Sequence, residues 1–126
     1  MAVPDDLRYS ADHEWARLEG NHVRIGITHY AQDALGDVVY VQLPNVGDEV
    51  KASDSFGEVE STKSVSDLFA PVAGKVVAVN DKLADAPQLV NEDPYGDGWL
   101  CVIDMSDAEQ FQGLMTPDGY RGLLDG

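Results

Sequence analysis

Two short segments near the N-terminus constrain the fold most strongly, because apolar and polar residues largely alternate in both. They are residues 13–19 and 22–28, and Gly20-Asn21 separates them. Alternation with a period of two is typical of strands that bury one face. Gly and Asn also tolerate the positive φ angles of a tight two-residue turn. The sequence therefore predicts a β-hairpin at this position.

Further strand-like segments follow, and Gly and Pro residues interrupt them. Residues 37–43, 56–60, 65–70 and 75–79 have the length and composition of short strands, and 99–103 is a continuous apolar run. β-Branched and aromatic residues favour strands, and an unbroken apolar run is typical of a strand that crosses the core. We therefore expect secondary structure that is mostly β.

Two or three short helices are predicted around these strands. Each starts after a side chain that can accept hydrogen bonds from the first turn, and the first ends at a glycine suited to the left-handed conformation. Their ranges are 30–35, between Thr28 and Gly36; 106–115, with Ser106 and Glu109 as a capping box; and 117–124, after Thr116. The expected fold is mostly β with short peripheral helices, including a C-terminal helical segment.

Length and charge limit the partners that such a chain can bind. The chain has 126 residues, which predicts one domain covering residues 1–126. Eight basic residues against 23 acidic residues give a net charge of −15. This charge disfavours binding to nucleic acids and to anionic membranes, and it suits protein partners with basic docking surfaces.

Cysteine content and the N-terminal residues predict a compartment. Cys101 is the one cysteine of the sequence, so the chain forms no intrachain disulfide and suits a reducing environment. No apolar run reaches the length of a transmembrane helix. Residues 1–6 have the features of neither a signal peptide nor an Arg-rich transit peptide. We expect a cytoplasmic protein, or a mitochondrial-matrix protein whose transit peptide was left out.

The residue pattern does not predict a catalytic or metal site. Cys101 lies in an apolar segment, which is typical of a buried, unreactive thiol. The three histidines are not spaced as a pair of metal ligands on a strand. Residues 91–102 begin like a calcium loop, but Tyr95 and Val102 occupy positions that need oxygen ligands. No P-loop or Gly-x-Gly-x-x-Gly motif is present, so we expect no bound nucleotide. Since no nucleophile–base pair is apparent either, we expect no enzyme activity.

Lys63 differs from the other three lysines in its surroundings. It stands between two strand-like segments, and its neighbours Ser61, Thr62 and Ser64 are small and polar. Such residues are typical of an exposed hairpin tip from which a long side chain projects into solvent. From the pattern alone, Lys63 is either a solubilising surface residue or an attachment point that another protein must reach.

Residues 58–76, with the sequence EVESTKSVSDLFAPVAGKV, closely resemble the lipoylation segment of the glycine cleavage system H-protein family. Residues 13–15, 26–36, 41–44 and 90–99 also resemble family segments, in the family's order, as does the helical tail. The resemblance therefore covers nearly the whole chain. Ser64 is a departure, since alanine is common there in the family, but serine keeps the tip small.

The resemblance implies a fold, a cofactor and a set of partners. Family members have a barrel-sandwich hybrid fold and carry lipoate on an amide to the lysine that matches Lys63. A lipoate ligase or an octanoyltransferase attaches it. The non-catalytic carrier takes an aminomethyl group from the glycine decarboxylase (P protein) to the aminomethyltransferase (T protein), and dihydrolipoamide dehydrogenase (L protein) reoxidises it. The positions that match Glu14 and Asp67 are associated with holding the loaded arm.

Four alternative functions compete with the lipoyl-carrier interpretation. A biotin carrier usually has methionines beside its lysine, where this chain has Thr62 and Ser64. A lipoyl domain of a 2-oxoacid dehydrogenase would explain neither residues 13–15 nor the C-terminal helices. An H-like protein that mainly relays lipoate to other complexes would use the same lysine, and a plain β-barrel binding module would leave Lys63 unmodified.

Overall fold

The computed structural model describes residues 3–125, which form nine strands and five helices. The strands are β1 (Arg8–Tyr9), β2 (Glu14–Glu19), β3 (His22–Ile27), β4 (Val38–Gln42), β5 (Glu49–Val50), β6 (Ser55–Ser61), β7 (Val65–Phe69), β8 (Gly74–Val79) and β9 (Cys101–Met105). The helices are α1 (His29–Leu35), α2 (Lys82–Asp85), α3 (Leu89–Glu92), α4 (Ala108–Gln112) and α5 (Pro117–Asp125).

The described strands make two antiparallel sheets that share one apolar core. The larger sheet has the order β1-β2-β3-β9-β8-β5, and the smaller one has the order β4-β6-β7. Side chains from both sheets, such as Ile25 and Ile103 from the larger and Val59 and Leu68 from the smaller, belong to one buried cluster. The apolar strand predicted at 99–103 corresponds to β9, which starts two residues later, at Cys101, and lies between β3 and β8 as expected of a core strand. The mostly β prediction is therefore confirmed.

The predicted N-terminal hairpin is formed by β2 and β3, which pair from Glu14↔Ile27 to Glu19↔His22. Its turn differs in one detail, because Gly20 alone has a positive φ, of 66°, and Asn21 does not. A positive φ at only the first turn position is typical of a type II′ turn, for which glycine is favoured.

The helices match the sequence prediction in part. Thr28 caps α1 by accepting a hydrogen bond from the Ala31 amide, as predicted. Gly36 ends α1 with φ 81° and ψ −158°, which is not the left-handed helical conformation that we expected. The predicted capping box is wrong: Asp107, not Ser106, caps α4, and that helix ends at Gln112. Two four-residue helices, α2 and α3, were not predicted.

The C-terminal helix α5 packs on the first strands through a second apolar cluster. Tyr9 and Tyr120 stack with ring centroids 4.6 Å apart, and both are fully buried with Trp15. Arg121 donates hydrogen bonds to Asp5 and to the Val3 carbonyl, which ties the N-terminal segment to α5. None of the helices in residues 3–125 is long and apolar enough to span a membrane.

A close contact in this second cluster generates a stability prediction. Trp15 pairs with Gly26 across β2 and β3, and a Cβ atom on Gly26 would lie 2.5 Å from the indole ring. We expect Gly26→Ala to lower the free energy of unfolding by about 1–3 kcal/mol, because the fully buried ring must move. Gly122→Ala in α5 is the matched control, because a Cβ atom added there would meet no atom outside its own helix turn within 4 Å. This variant should raise the free energy of unfolding by up to about 1 kcal/mol. Urea unfolding curves that place Gly26→Ala at wild-type stability would contradict the packing described.

Candidate functional site

Lys63 lies at the exposed tip of the β6–β7 hairpin, as the sequence predicted. The tip is held together by Ser61, whose side chain is buried beneath it. The Ser61 hydroxyl accepts hydrogen bonds from the amides of Lys63 and Ser64, each at 3.1 Å, and the Ser61 amide donates to the Ser64 carbonyl at 2.8 Å. The backbone of the tip is therefore fixed, while the lysine side chain is accessible.

The segment between α1 and β4 supports this tip from below. The Thr62 amide donates to the Asp37 carbonyl at 3.0 Å. The aliphatic part of Lys63 lies along Gly36, where an added Cβ atom would be 3.2 Å from the lysine Cε and 3.4 Å from its Cδ. Gly36 therefore provides the space for the lysine stem, and its φ of 81° favours glycine independently.

A cleft of about 190 Å³ lies beside the hairpin, between α1 and β7. Its lining includes Leu35, the residue before Gly36, together with other apolar side chains of α1 and the strand residues before Phe69. Its lining is Tyr30, Ala31, Ala34 and Leu35 from α1, Ile27 and Val59 from the core, Ser66, Asp67 and Leu68 from β7, and Asp12, His13 and Glu14. A larger open depression, of about 600 Å³, is lined by residues of β5, β8 and β9 and not by Lys63, Glu14 or Asp67.

Glu14 places a buried carboxyl group in this cleft. The residue is 2% exposed, and its two oxygens accept hydrogen bonds from the Phe69 amide at 2.8 Å and from the Ser10 hydroxyl at 3.0 Å. Burial raises the pKa of Glu14 to about 8, although both hydrogen bonds oppose the rise. The group can therefore change its protonation state near neutral pH, and a nearby cation would favour the ionised form.

Asp67, the other carboxylate singled out in the sequence, lines the same cleft but is exposed. It pairs with Glu58 across β6 and β7, so a second exposed acid lies directly opposite. Asp12 is a third carboxylate in the lining, and the sequence analysis missed it. No local pattern could have revealed Asp12, because its place in the cleft follows from the packing of β7 and α1 against the N-terminal segment.

His13 connects the cleft with the C-terminal helix. Its Nδ1 lies 2.8 Å from the Tyr120 hydroxyl, which lies 2.7 Å from the Thr28 hydroxyl. Its φ is 66°, which is uncommon for histidine and turns the chain into β2 just before Glu14. Partial burial lowers the pKa of His13. Sequence reasoning considered this residue only as a metal ligand and missed its structural role.

The structure also places the cysteine and the other residue types that could bind a metal. Cys101 is fully buried in β9, as the sequence predicted, and burial raises the pKa of its thiol to about 12, which disfavours the reactive thiolate. Among residues 3–125 there is no group of three or more His, Cys, Asp or Glu side chains placed to hold a metal ion.

Comparison with known proteins relates this geometry to a family. A family model described as "Glycine cleavage H-protein" matches residues 7–125. The chain belongs to the glycine cleavage H-protein family. It is 54% identical to the glycine cleavage system H protein of Anaeromyxobacter sp. (strain K) over 125 residues, which are 99% of this chain and 98% of that relative. It is 55% identical, over the same shares, to the H protein of Bacillus cereus (strain AH820).

A solved H-protein structure agrees with this assignment. The crystal structure of a glycine cleavage system H protein from Mycobacterium marinum superposes with a TM-score of 0.90 at 45% identity, and the match covers 98% of this chain and 100% of the other. The barrel-sandwich fold expected from the resemblance is confirmed, and so is the resemblance itself.

The buried carboxyl of Glu14 generates a prediction about pH and stability. The folded chain keeps a proton on Glu14 up to about pH 8, whereas the unfolded chain releases it near pH 4.5. Unfolding therefore releases this proton between the two values, and the free energy of unfolding falls as pH rises through that window, by up to about 1.4 kcal/mol per pH unit.

The control is Glu14→Gln, which keeps an acceptor for the Phe69 amide and does not titrate. Urea unfolding at a series of pH values should show the wild-type stability falling relative to this variant between pH 5 and 8. Parallel curves for the two proteins would show that Glu14 is ionised throughout, contrary to its burial.

Proposed function

We propose that this chain is a lipoyl-bearing carrier of the glycine cleavage system, with lipoate joined to Lys63 by an amide. The observation that carries the proposal is the position of Lys63, an exposed amine on a hydrogen-bonded tip beside a cleft that contains a buried carboxyl group. None of the ion pairs found in residues 3–125 engages the Lys63 ammonium group, so it is available for acylation. These features fit an amide-linked cofactor.

Joined to Lys63, a lipoyl group would supply a dithiolane able to accept an aminomethyl group. The partners in this proposal are the P protein, the T protein and the L protein, which would load, unload and reoxidise the carrier in turn. A lipoate ligase or an octanoyltransferase would attach the lipoyl group. In this proposal the chain itself is non-catalytic, and residues 1–126 act as one carrier unit. The relatives compared are bacterial, and we place the protein in the cytoplasm, where the free thiol of Cys101 suits a reducing environment.

The fixed tip and the exposed lysine serve different needs of a carrier. Ser61 and the Asp37 carbonyl hold the backbone around Lys63, so each partner meets the same anchor geometry. The side chain beyond the backbone is long and flexible, so it can enter separate active sites in turn. Tethering raises the effective concentration of the arm in each site that it can reach.

The net charge suits partners that bind and release repeatedly. At −15, the chain attracts enzymes with basic rims over distances that depend on ionic strength. Charge on the rim of an interface mainly accelerates association and adds little to the lifetime of the complex. Acylation also removes the charge of Lys63, which leaves no basic residue in the β4–β6–β7 sheet or its tip.

Glu14 and Asp67 are proposed to hold the loaded arm, which carries a cationic amine. The cleft is lined by Leu35, the residue before the glycine that contacts the Lys63 stem, and by both carboxylates. A cationic amine placed there would ionise Glu14, and a charge-assisted hydrogen bond is about twice as strong as a neutral one. Apolar walls from α1 would limit the access of water to the amine.

Replacing Lys63 tests the attachment site. Lys63→Arg keeps the positive charge but has no acylatable amine, so we expect a folded protein with no lipoyl label and no carrier activity. The matched control replaces Lys51, Lys75 and Lys82 by arginine together and should be labelled like the wild type. Incubation with a lipoate ligase and labelled lipoate, followed by mass spectrometry, measures both. Label on Lys63→Arg, or its absence from the triple variant, would refute the assignment.

Replacing the cleft carboxylates tests the holding role. Glu14→Gln cannot ionise beside the amine but keeps the acceptor for the Phe69 amide, so we expect ammonia release from the isolated, loaded protein to accelerate by at least about tenfold. Asp67→Asn should have a smaller effect because Asp67 is exposed. Glu58→Gln, which changes the acid opposite Asp67 on the neighbouring strand, is the control and should not alter the rate. Equal rates for wild type and Glu14→Gln would exclude the holding role of Glu14.

A further inference from the structure

Asn91 in α3 binds the segment that supports the Lys63 tip. Its Oδ1 accepts a hydrogen bond from the Val38 amide at 2.8 Å, and its Nδ2 donates to the Gly36 carbonyl at 2.8 Å and to the Gln32 Oε1 at 3.0 Å. One side chain thus uses both its donors and its acceptor to join the end of α1 to the start of β4. The preceding residue, Val90, is fully buried and anchors α3 in the core.

The hydrogen bonds of Asn91 hold the segment that contains Gly36 and Asp37, the two residues that support Lys63 and its hairpin tip. Gly36 lies under the lysine stem, and the Asp37 carbonyl accepts the hydrogen bond from the Thr62 amide. Helix α1, which Asn91 holds at Gln32 and Gly36, is also one wall of the cleft. Asn91 itself is not part of the cleft lining, and it forms no hydrogen bond with Lys63.

We propose that Asn91 is a positioning residue for the carrier lysine. By fixing residues 36–38, it holds the tip in the geometry that a lipoate-attaching enzyme recognises. The proposal rests on the proposed function, since it assigns to Asn91 a part in presenting Lys63 for acylation. Altering Asn91 lowers the fraction of molecules whose tip is in this geometry. It does not change the reactivity of the Lys63 amine, because Asn91 does not touch it.

The chemistry of the amide suggests a selective substitution. Asn91→Asp keeps an acceptor for the Val38 amide, but it places a carboxylate oxygen against the Gly36 carbonyl, which cannot donate. The Gln32 amide can turn and donate to the new carboxylate, so this variant mainly breaks the bond to Gly36. Asn91→Ser is a second variant, in which a small polar side chain is too short to bridge the segment.

Asn80 is a matched control in the same molecule. It is 2% exposed, and its Nδ2 donates to two backbone carbonyls, those of Asp97 at 2.7 Å and Trp99 at 2.8 Å. Asn80→Asp therefore also sets a carboxylate against backbone carbonyl groups, but it changes no bond of residues 36–38 or of the hairpin tip. A general loss of stability affects both variants, whereas a positioning role appears only at Asn91.

Two measurements on the full chain test the proposal. The first is hydrogen exchange of the Thr62 amide in the unmodified protein, followed by nuclear magnetic resonance. We expect exchange to be about tenfold faster in the Asn91 variants than in Asn80→Asp, the change expected from losing about one hydrogen bond. The second is lipoate attachment at Lys63 by a lipoate ligase. We expect kcat/KM to fall about tenfold because KM rises, since a smaller fraction of the molecules has a tip competent to bind the ligase.

The outcomes separate this inference from the function on which it rests. Thr62 exchange or kcat/KM values in both Asn91 variants that match those of Asn80→Asp would overturn the positioning role. Wild-type protein that accepts no lipoate at Lys63 would instead contradict the proposed function, and the exchange measurement would still test whether Asn91 holds the tip. Far-UV circular dichroism establishes that each variant compared is folded.

Discussion

A buried carboxyl group joins the two sheets of this protein, because Glu14 on β2 accepts a hydrogen bond from the Phe69 amide on β7. Strand β7 is the edge of the smaller sheet, so this bond fixes that edge against the larger sheet. The same bond sets Glu14 at the cleft beside β7. Burial raises the pKa of this carboxyl, and a cation in the cleft would favour its ionised form.

The proposed carrier role requires the hairpin tip to be accessible and also fixed. Hydrogen bonds hold it in place: the buried Ser61 hydroxyl accepts from two amides of the tip, and the Asp37 carbonyl in the α1–β4 segment accepts from the Thr62 amide. Glycine at position 36 leaves room for the lysine stem. A flexible side chain on a backbone held in this way suits a group that several enzymes must reach, and the acidic surface favours contacts that dissociate again.

Local pattern was sufficient for the features that depend on neighbouring residues. The β2–β3 hairpin, the Thr28 cap and the exposed Lys63 all follow from short-range signals. Features that depend on distant contacts were missed: α3 is short and was not predicted, and the bond from Val38 to Asn91 joins residues 53 apart in sequence. The resemblance pointed to Glu14, but its raised pKa is a consequence of burial and appears only in the folded chain.

The central claim is that Lys63 is the point of cofactor attachment, and the modification state of the protein from its native host tests it most directly. Intact-mass measurement followed by peptide mapping gives both the added mass and its position. The account predicts one lipoyl group per chain, located on Lys63, with the other three lysines unmodified. An unmodified Lys63 in a host that lipoylates its other carrier proteins, or a lipoyl group on a different lysine, would contradict it.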